Sequence, residues 1–208
     1  MIKELYPFVQ AYAFIIGLAI GSFLNVIIYR IPNNKSIVKP RSKCTGCETQ
    51  ISWYDNIPVL SYILLLGKCR NCKASISVRY PLIEFICGLM TVMLLSIYGI
   101  SYEFFVIVLF CYMLIAITFI DIDHFIIPNE FIIFGLIVSF FAHAFNFLPI
   151  SIVQGFYGII AFGGTLFVMG ALGTWAFKKE ALGFGDVKLG LVLGSFLGVE
   201  LSLLSLFL

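Results

Sequence analysis

The sequence predicts an all-α polytopic membrane protein with about six transmembrane helices and a small cytosolic zinc-ribbon-like insertion. The chain has 61% hydrophobic and only 12% charged residues, whereas a soluble domain has about 45–50% apolar and about 25% charged residues. The apolar residues fall into blocks near the length that crosses a hydrocarbon core of about 30 Å. The one sizeable polar segment carries two CxxC pairs.

Six apolar runs predict the membrane helices. They cover residues 7–29, 80–98, 104–120, 131–148, 150–177 and 188–208. The first run is interpreted as a retained span, because its small-residue triplet precedes the apolar residues, whereas a signal-peptide cleavage site follows them. Gly17 and Gly21 have the spacing of closely packed membrane helices, and Gly164 and Gly170 resemble such a pair less well. The fifth run is long enough for a tilted helix plus a loop.

The basic residues predict the orientation. Nine of the thirteen lie between the first two spans, and three lie between the last two or at the first residue of the sixth. Cytosolic segments carry the excess of Lys and Arg. We therefore expect the N-terminus outside and these segments in the cytosol. A net charge of +2 is too small to indicate nucleic-acid binding. We expect membrane lipid as a partner and no nucleic acid.

The polar segment divides the chain into three regions. They are a first transmembrane helix (1–29), the polar segment itself as a cytosolic domain (30–79), and a transmembrane core (80–208). Such a short domain buries little core and usually needs a metal or a disulfide. Its four paired cysteines, with 21 residues between the pairs, are Cys44, Cys47, Cys69 and Cys72. This spacing is typical of a tetrahedral zinc site, which without an open position is structural. Disulfides or redox motifs are the alternative, but cytosolic thiols stay reduced.

Two aspartates near the bilayer are the candidate catalytic residues. Asp121 ends the third span, and Asp186 opens the sixth after Gly183 and Gly185. Ionisable residues at membrane depth are costly and are functional by default. Since two spans separate the aspartates, both lie at the same face, where two close carboxylates share one proton and can hydrolyse a peptide bond. The glycines permit non-helical backbone just before Asp186, where an extended substrate approaches.

Other groups compete for these roles. Asp123 and Glu180 are alternative carboxylates, but residues 121 and 123 point about 200° apart on one helix, so only one of them can face a shared pocket. A non-catalytic interpretation has the aspartates capping helices or pairing with Lys179 and Lys188. From position alone, the catalytic and non-catalytic interpretations weigh about equally.

The two histidines are expected to have other roles. His124 beside the third span is interpreted as a hydrated polar end, although it could act as a base. His143, inside the fourth span, is expected to make a helix-to-helix hydrogen bond. Pro128 cannot continue a helix, and Asn129 is the predicted N-cap of the next one.

Taken in order, these segments resemble the type IV prepilin peptidases, bacterial GxGD-type aspartic proteases of the inner or plasma membrane. The resemblance rests on the two CxxC pairs and on residues 21–26, 29–32, 53–58, 77–84, 121–129 and 183–188. It implies cleavage of the leader of prepilin-like proteins at the cytosolic face and assigns catalysis to Asp121 and Asp186. It also implies N-methylation of the new terminus with S-adenosylmethionine, associated with the cysteine-bearing domain.

Two other functions remain open at this stage. One is another intramembrane GxGD protease, akin to the presenilin and signal-peptide-peptidase group, in which the CxxC pairs would not be expected. The other is a non-enzymatic membrane scaffold or transporter whose zinc ribbon docks a cytosolic partner. Prepilin peptidases usually continue for one or two spans beyond the GxGD helix, whereas this sequence stops at Leu208 within an apolar run. We therefore expect it to be a shortened form.

Overall fold

The structure, a computed structural model, describes residues 2–207. Within that range the chain forms eight α-helices: α1 Ile2–Arg30, α2 Leu60–Leu64, α3 Arg79–Tyr98, α4 Tyr102–His124, α5 Asn129–Ala144, α6 Ile152–Gly158, α7 Gly164–Phe177 and α8 Phe184–Leu204. A five-residue π-helix, Ile159–Gly163, joins α6 to α7. The all-α membrane class is confirmed.

Five helical segments of the described chain are long and apolar enough to cross a membrane. They are Tyr6–Arg30, Arg79–Tyr98, Tyr102–His124, Ile152–Phe177 and Phe184–Leu204. The apolar helix α5 has 16 residues, about 24 Å at 1.5 Å per residue, which is short of a core of about 30 Å. Five of the six predicted spans therefore meet the length criterion. The fifth is helical from Ile152 to Phe177, with a π turn where a loop was considered.

The first compact unit, Met1–Ile120, is built on the packing of α1 against α3. Glycine makes this close approach possible. A methyl group added at Gly17 would lie 2.7 Å from the carbonyl oxygen of Cys87, and one added at Gly21 would lie 2.6 Å from the Cα of Glu84. The close packing predicted for Gly17 and Gly21 is confirmed.

The second compact unit, Asp121–Leu208, packs α5, α6 and the π turn against α8. Its tightest crossing joins Gly158 to Gly194, where a methyl group on either residue would collide with the carbonyl oxygen of the other. Gly164 has no atom within 4 Å of such a methyl group. The tightest helix contact of this span therefore lies at Gly158 rather than at the predicted Gly164. Gly198 interrupts α8 with a φ of 69°.

Candidate active site and metal centre

The Asp-Ile-Asp sequence lies in the last turn of α4. The helix ends at His124, and Phe125 adopts a left-handed conformation with a φ of 54° that turns the chain towards α5. Pro128, with a ψ of 137°, is the N-cap residue of α5, and no side chain caps the helix there. The prediction of Asn129 as the N-cap is wrong, because Asn129 is already helical and its side chain serves another contact.

Gly183 and Gly185, before Asp186, lie close to neighbouring side chains and do not adopt backbone conformations that only glycine favours. Gly183 is the extended N-cap of α8, whereas Gly185 lies inside the helix, so the prediction of non-helical backbone is right at 183 and wrong at 185. A methyl group at Gly183 would lie 3.1 Å from Oδ2 of Asp186, and one at Gly185 would lie 3.3 Å from the Cβ of Ile127. A methyl group at either position would therefore fit only if the Asp186 or Ile127 side chain moved by a few tenths of an ångström.

The two motif segments contact each other within the second unit. Lys188 Nζ donates a hydrogen bond of 2.8 Å to Oδ1 of Asn129, and it lies 4.9 Å from the centre of the Phe184 ring. Together with the approach of Gly185 to Ile127, this hydrogen bond places the N-terminus of α8 beside the turn between α4 and α5. Asp186 is exposed in the first turn of α8.

The local geometry bears on the non-catalytic interpretation. A carboxylate in the last turn of a helix faces the negative end of the macrodipole, which is unfavourable, so Asp121 does not stabilise α4 as a cap. Lys188 directs its ammonium to Asn129. Asp186, by contrast, lies in a first turn, where a carboxylate is electrostatically favourable. A capping role thus accounts for the position of Asp186 but not for that of Asp121.

Each competing group lies within six residues of one of the two candidate aspartates. Helix α4 continues through both Asp121 and Asp123, so their side chains point to different faces, as expected. Asp121 is partly buried, whereas Asp123 and His124 are exposed. Glu180 is exposed in the loop between α7 and α8. Burial therefore favours Asp121 over Asp123 as the carboxylate of a protected site.

The four paired cysteines form one cluster. Their sulfur atoms all lie within 4.8 Å of one another, and Cys44 Sγ lies 3.8 Å from Cys72 Sγ. Each pair occupies a similar turn. The Cys44 amide donates to Thr49 O at 2.9 Å, and the Cys69 amide, 25 residues later, donates to Ala74 O at 2.8 Å. Antiparallel bridges close the turns between the pairs Lys43–Gln50 and Lys68–Ser75.

The cluster has the chemistry of a metal site. Sulfur atoms bound tetrahedrally at about 2.3 Å from a zinc ion lie about 3.8 Å apart, and this is the separation of Cys44 and Cys72. The cysteines are free thiols. The side chain and backbone of Thr49 lower the pKa of Cys47 to about 6, and backbone hydrogen bonds at Cys72 and Asn71 lower the pKa of Cys69. The Ala74 backbone lowers the pKa of Cys72, but burial and hydrogen bonds with the other three cysteines outweigh this effect and raise it to about 11. Thiolates are the metal-binding form, so the pKa values of Cys47 and Cys69 favour metal binding and that of Cys72 does not. By their positions, the four sulfur atoms could hold a metal ion.

Two polar contacts of residues 30–79, the candidate metal-binding domain, were not predicted from the sequence. Arg70, inside the second CxxC pair, binds both carboxylate oxygens of Asp55 and lies 2.7 Å from the nearer one. The contact depresses the pKa of Asp55 through these hydrogen bonds. The second contact involves Glu84, a buried residue of α3 whose carboxylate accepts the Val59 amide at 2.7 Å. An ionisable residue within an apolar run is the signal that would have indicated Glu84.

Known proteins match most of the chain. Residues 15–98 match the bacterial Peptidase A24 N-terminal domain, and residues 108–208 match the type IV leader peptidase family. A prepilin leader peptidase/N-methyltransferase of Stutzerimonas stutzeri is 33% identical, with 89% of this chain and 72% of the relative covered. The chain belongs to the type IV leader peptidase family. The resemblance inferred from the motifs is thereby confirmed.

Other relatives carry the same name. The prepilin leader peptidase/N-methyltransferase of Neisseria gonorrhoeae is 32% identical, with 96% of this chain and 78% of the relative covered. The protein of that name from Myxococcus xanthus is 37% identical over 92% of this chain, but the chain spans only 57% of its length. No solved structure matches the chain. Leader peptidase function is supported, and a non-enzymatic scaffold or transporter is not favoured.

Proposed function

We propose that this member of the type IV leader peptidase family is an aspartic endopeptidase that removes the leader of prepilin-like proteins at the cytosolic face of the bacterial inner membrane. The observation that carries the proposal is the contact of the two motif segments through Asn129 and Lys188. This contact joins the turn that follows Asp121 to the first turn of α8, which carries Asp186. The names of the relatives support the substrate class.

In the proposed reaction, Asp121 and Asp186 share one proton. The ionised carboxylate takes a proton from a water molecule, whose oxygen attacks the carbonyl carbon of the scissile peptide bond. The protonated carboxyl group donates a hydrogen bond to the carbonyl oxygen and stabilises the negative charge that develops there. The tetrahedral intermediate then collapses, the C–N bond breaks, and a carboxyl group returns a proton to the leaving amine.

The metal-binding domain has a separate role in this proposal. Zinc is the ion that best suits four thiolates in a tetrahedral arrangement. Cys44, Cys47, Cys69 and Cys72 would fill all four positions of such an ion, which would supply folding energy rather than an activated water. The names of the relatives include an N-methyltransferase activity, and this supports our proposal that the new terminus is methylated with S-adenosylmethionine as the methyl donor. The distribution of the basic residues supports a cytosolic location for this domain and both aspartates.

The experiment that tests the proposal reads the N-terminus of a substrate. Membranes containing the protein are incubated with a prepilin and with S-adenosylmethionine, and the product is analysed by mass spectrometry. We expect loss of the leader and addition of one methyl group. A product that is shortened but not methylated would contradict only the proposed methyltransferase activity. An intact prepilin in the presence of folded protein would contradict the peptidase function.

A further inference from the structure

The metal-binding domain carries an apolar surface that the chain leaves open. Helix α2 and the turn after it expose Leu60, Ile63, Leu64 and Leu66, and the exposed fractions of Leu64 and Leu66 reach 72% and 83%. These residues belong to an apolar stretch of 11 residues, 57–67, that is too short to cross a bilayer. Contiguous exposed apolar residues of this kind mark an interaction surface.

The depth of this surface follows from one hydrogen bond. The Val59 amide, at the N-terminus of α2, donates to the carboxylate of Glu84 at 2.7 Å. Glu84 lies in the second turn of α3, about 7.5 Å from the start of the helix at 1.5 Å per residue. Helix α3 has 20 residues, about 30 Å in all, which equals the thickness of the hydrocarbon core. With α3 spanning the core from end to end, the Glu84 backbone lies about 7.5 Å inside one boundary, and the hydrogen bond holds the Val59 amide near this level.

We propose that residues 60–66 lie in the bilayer interface, in the leaflet on the side of the metal-binding domain, with their exposed leucine and isoleucine side chains among the lipid chains. A helix that lies in the plane of the interface is buried about 5–10 Å into the headgroup and acyl boundary. The depth set by Glu84 falls in this range. An apolar stretch of about 10–14 residues is also typical of interfacial segments.

The backbone of the segment suits a lipid environment. In lipid, each backbone polar group must find a partner within the protein. The amides of Ile63, Leu65, Leu66 and Gly67 donate to carbonyl oxygens of residues 59–63, and Glu84 accepts the Val59 amide. The carboxylate thus satisfies a donor at the N-terminus of a short helix that water would otherwise hydrate.

The residues that flank the segment are of types found at the boundary between lipid and water. Trp53 and Tyr54 precede the segment and are 73% and 48% exposed, and such amphipathic rings concentrate at the headgroup level. Lys68 follows the segment, is exposed, and carries the charge that binds anionic headgroups. An apolar helix of a protein partner could cover the same leucines, but it would not explain why the segment lies at membrane depth.

Fluorescence quenching in lipid vesicles tests the proposal on the whole chain. Trp53 and Trp175 are replaced by phenylalanine, and one tryptophan is introduced by Leu64→Trp. A matched control has Gln50→Trp, an exposed position in a turn of the metal cluster. We expect phospholipids brominated on their acyl chains to quench most of the fluorescence of the Leu64→Trp variant while aqueous iodide quenches little. The Gln50→Trp variant should respond in the opposite way.

Two outcomes would overturn the proposal. Equal quenching of both variants by iodide would place the segment in water. Protection of the Leu64→Trp variant from both quenchers would mean that protein, such as a bound substrate helix or a second copy, covers the surface. The Trp175→Phe variant, which keeps the native Trp53 as its only tryptophan, repeats the measurement without a change in the segment. Cleavage activity does not enter the readout, so the result is independent of the proposed catalytic function.

Discussion

His143 Nε2 lies 2.8 Å from the carbonyl oxygen of Ser195, which joins α5 to α8. This is the helix-to-helix hydrogen bond expected of that histidine. Gly198, with a φ of 69° and a ψ of −173°, interrupts the helical backbone of α8 three residues after Ser195. A methyl group at Gly155 would lie 2.7 Å from Nε2, so α6 must present a glycine to the same ring.

Loss of the His143 donor should destabilise the second unit. We expect His143→Leu to lower the free energy of unfolding by about 1–3 kcal/mol, because a buried carbonyl oxygen then has no partner. His143→Gln keeps an amide donor and should lose less. Thermal denaturation in detergent measures both variants. Equal midpoints for the leucine and glutamine variants would show that the hydrogen bond does not stabilise the fold.

The proposed sharing of one proton by Asp121 and Asp186 predicts the effect of replacing either aspartate. Asp121→Asn and Asp186→Asn should each abolish leader cleavage while the protein still accumulates in the membrane, because each change removes one half of the pair. Asp123→Asn should be milder, since its carboxylate is exposed on another face of α4. Prepilin cleavage followed by gel electrophoresis is the measurement. Retained activity in the Asp121 variant with loss in the Asp123 variant would reverse the assignment.

The contact between Asn129 and Lys188 should position α8 rather than take part in the chemistry. Lys188→Met is expected to reduce the cleavage rate about fivefold, which corresponds to about 1 kcal/mol for one lost hydrogen bond. Asn129→Leu should have a similar effect, and the double variant should be no worse than either single one. Additive losses in this double-mutant cycle of cleavage rates would mean that the two residues act separately.

The crossing of Gly158 and Gly194 predicts a contrast between two glycines of one span. Gly158→Ala should lower the stability by about 1–3 kcal/mol, because the methyl group meets backbone that cannot move aside independently. Gly164→Ala, six residues later, meets no atom within 4 Å and should leave the denaturation midpoint unchanged or raise it, since alanine favours the helix. Equal destabilisation by both changes would place the contact elsewhere.

The cysteine cluster predicts one zinc ion per chain. Metal analysis of purified protein should find it, and replacement of Cys44 and Cys72 by serine should remove it, because two of the four ligands are lost. Cys87→Ser and Cys111→Ser serve as controls, since these cysteines lie in membrane helices away from the cluster. A zinc content near zero in the unchanged protein would leave the disulfide or redox interpretation standing.

Local chemistry determined much of this protein from the sequence alone. The apolar runs predicted the membrane helices because hydrophobic length is a property of consecutive residues. The two CxxC pairs predicted the cysteine cluster because each pair makes its own turn. Gly17 and Gly21 predicted a close helix contact from their spacing, and the family followed from motifs in a fixed order.

Only the tertiary structure decided which distant groups meet. It placed Gly158 rather than Gly164 at the tight crossing with α8, and it paired Lys188 with Asn129, which had been expected to cap a helix. It also brought the Val59 amide to Glu84, the contact from which we infer the depth of α2. These contacts join residues 25 or more positions apart, and their partners depend on how the helices pack, which spacing along the chain does not specify.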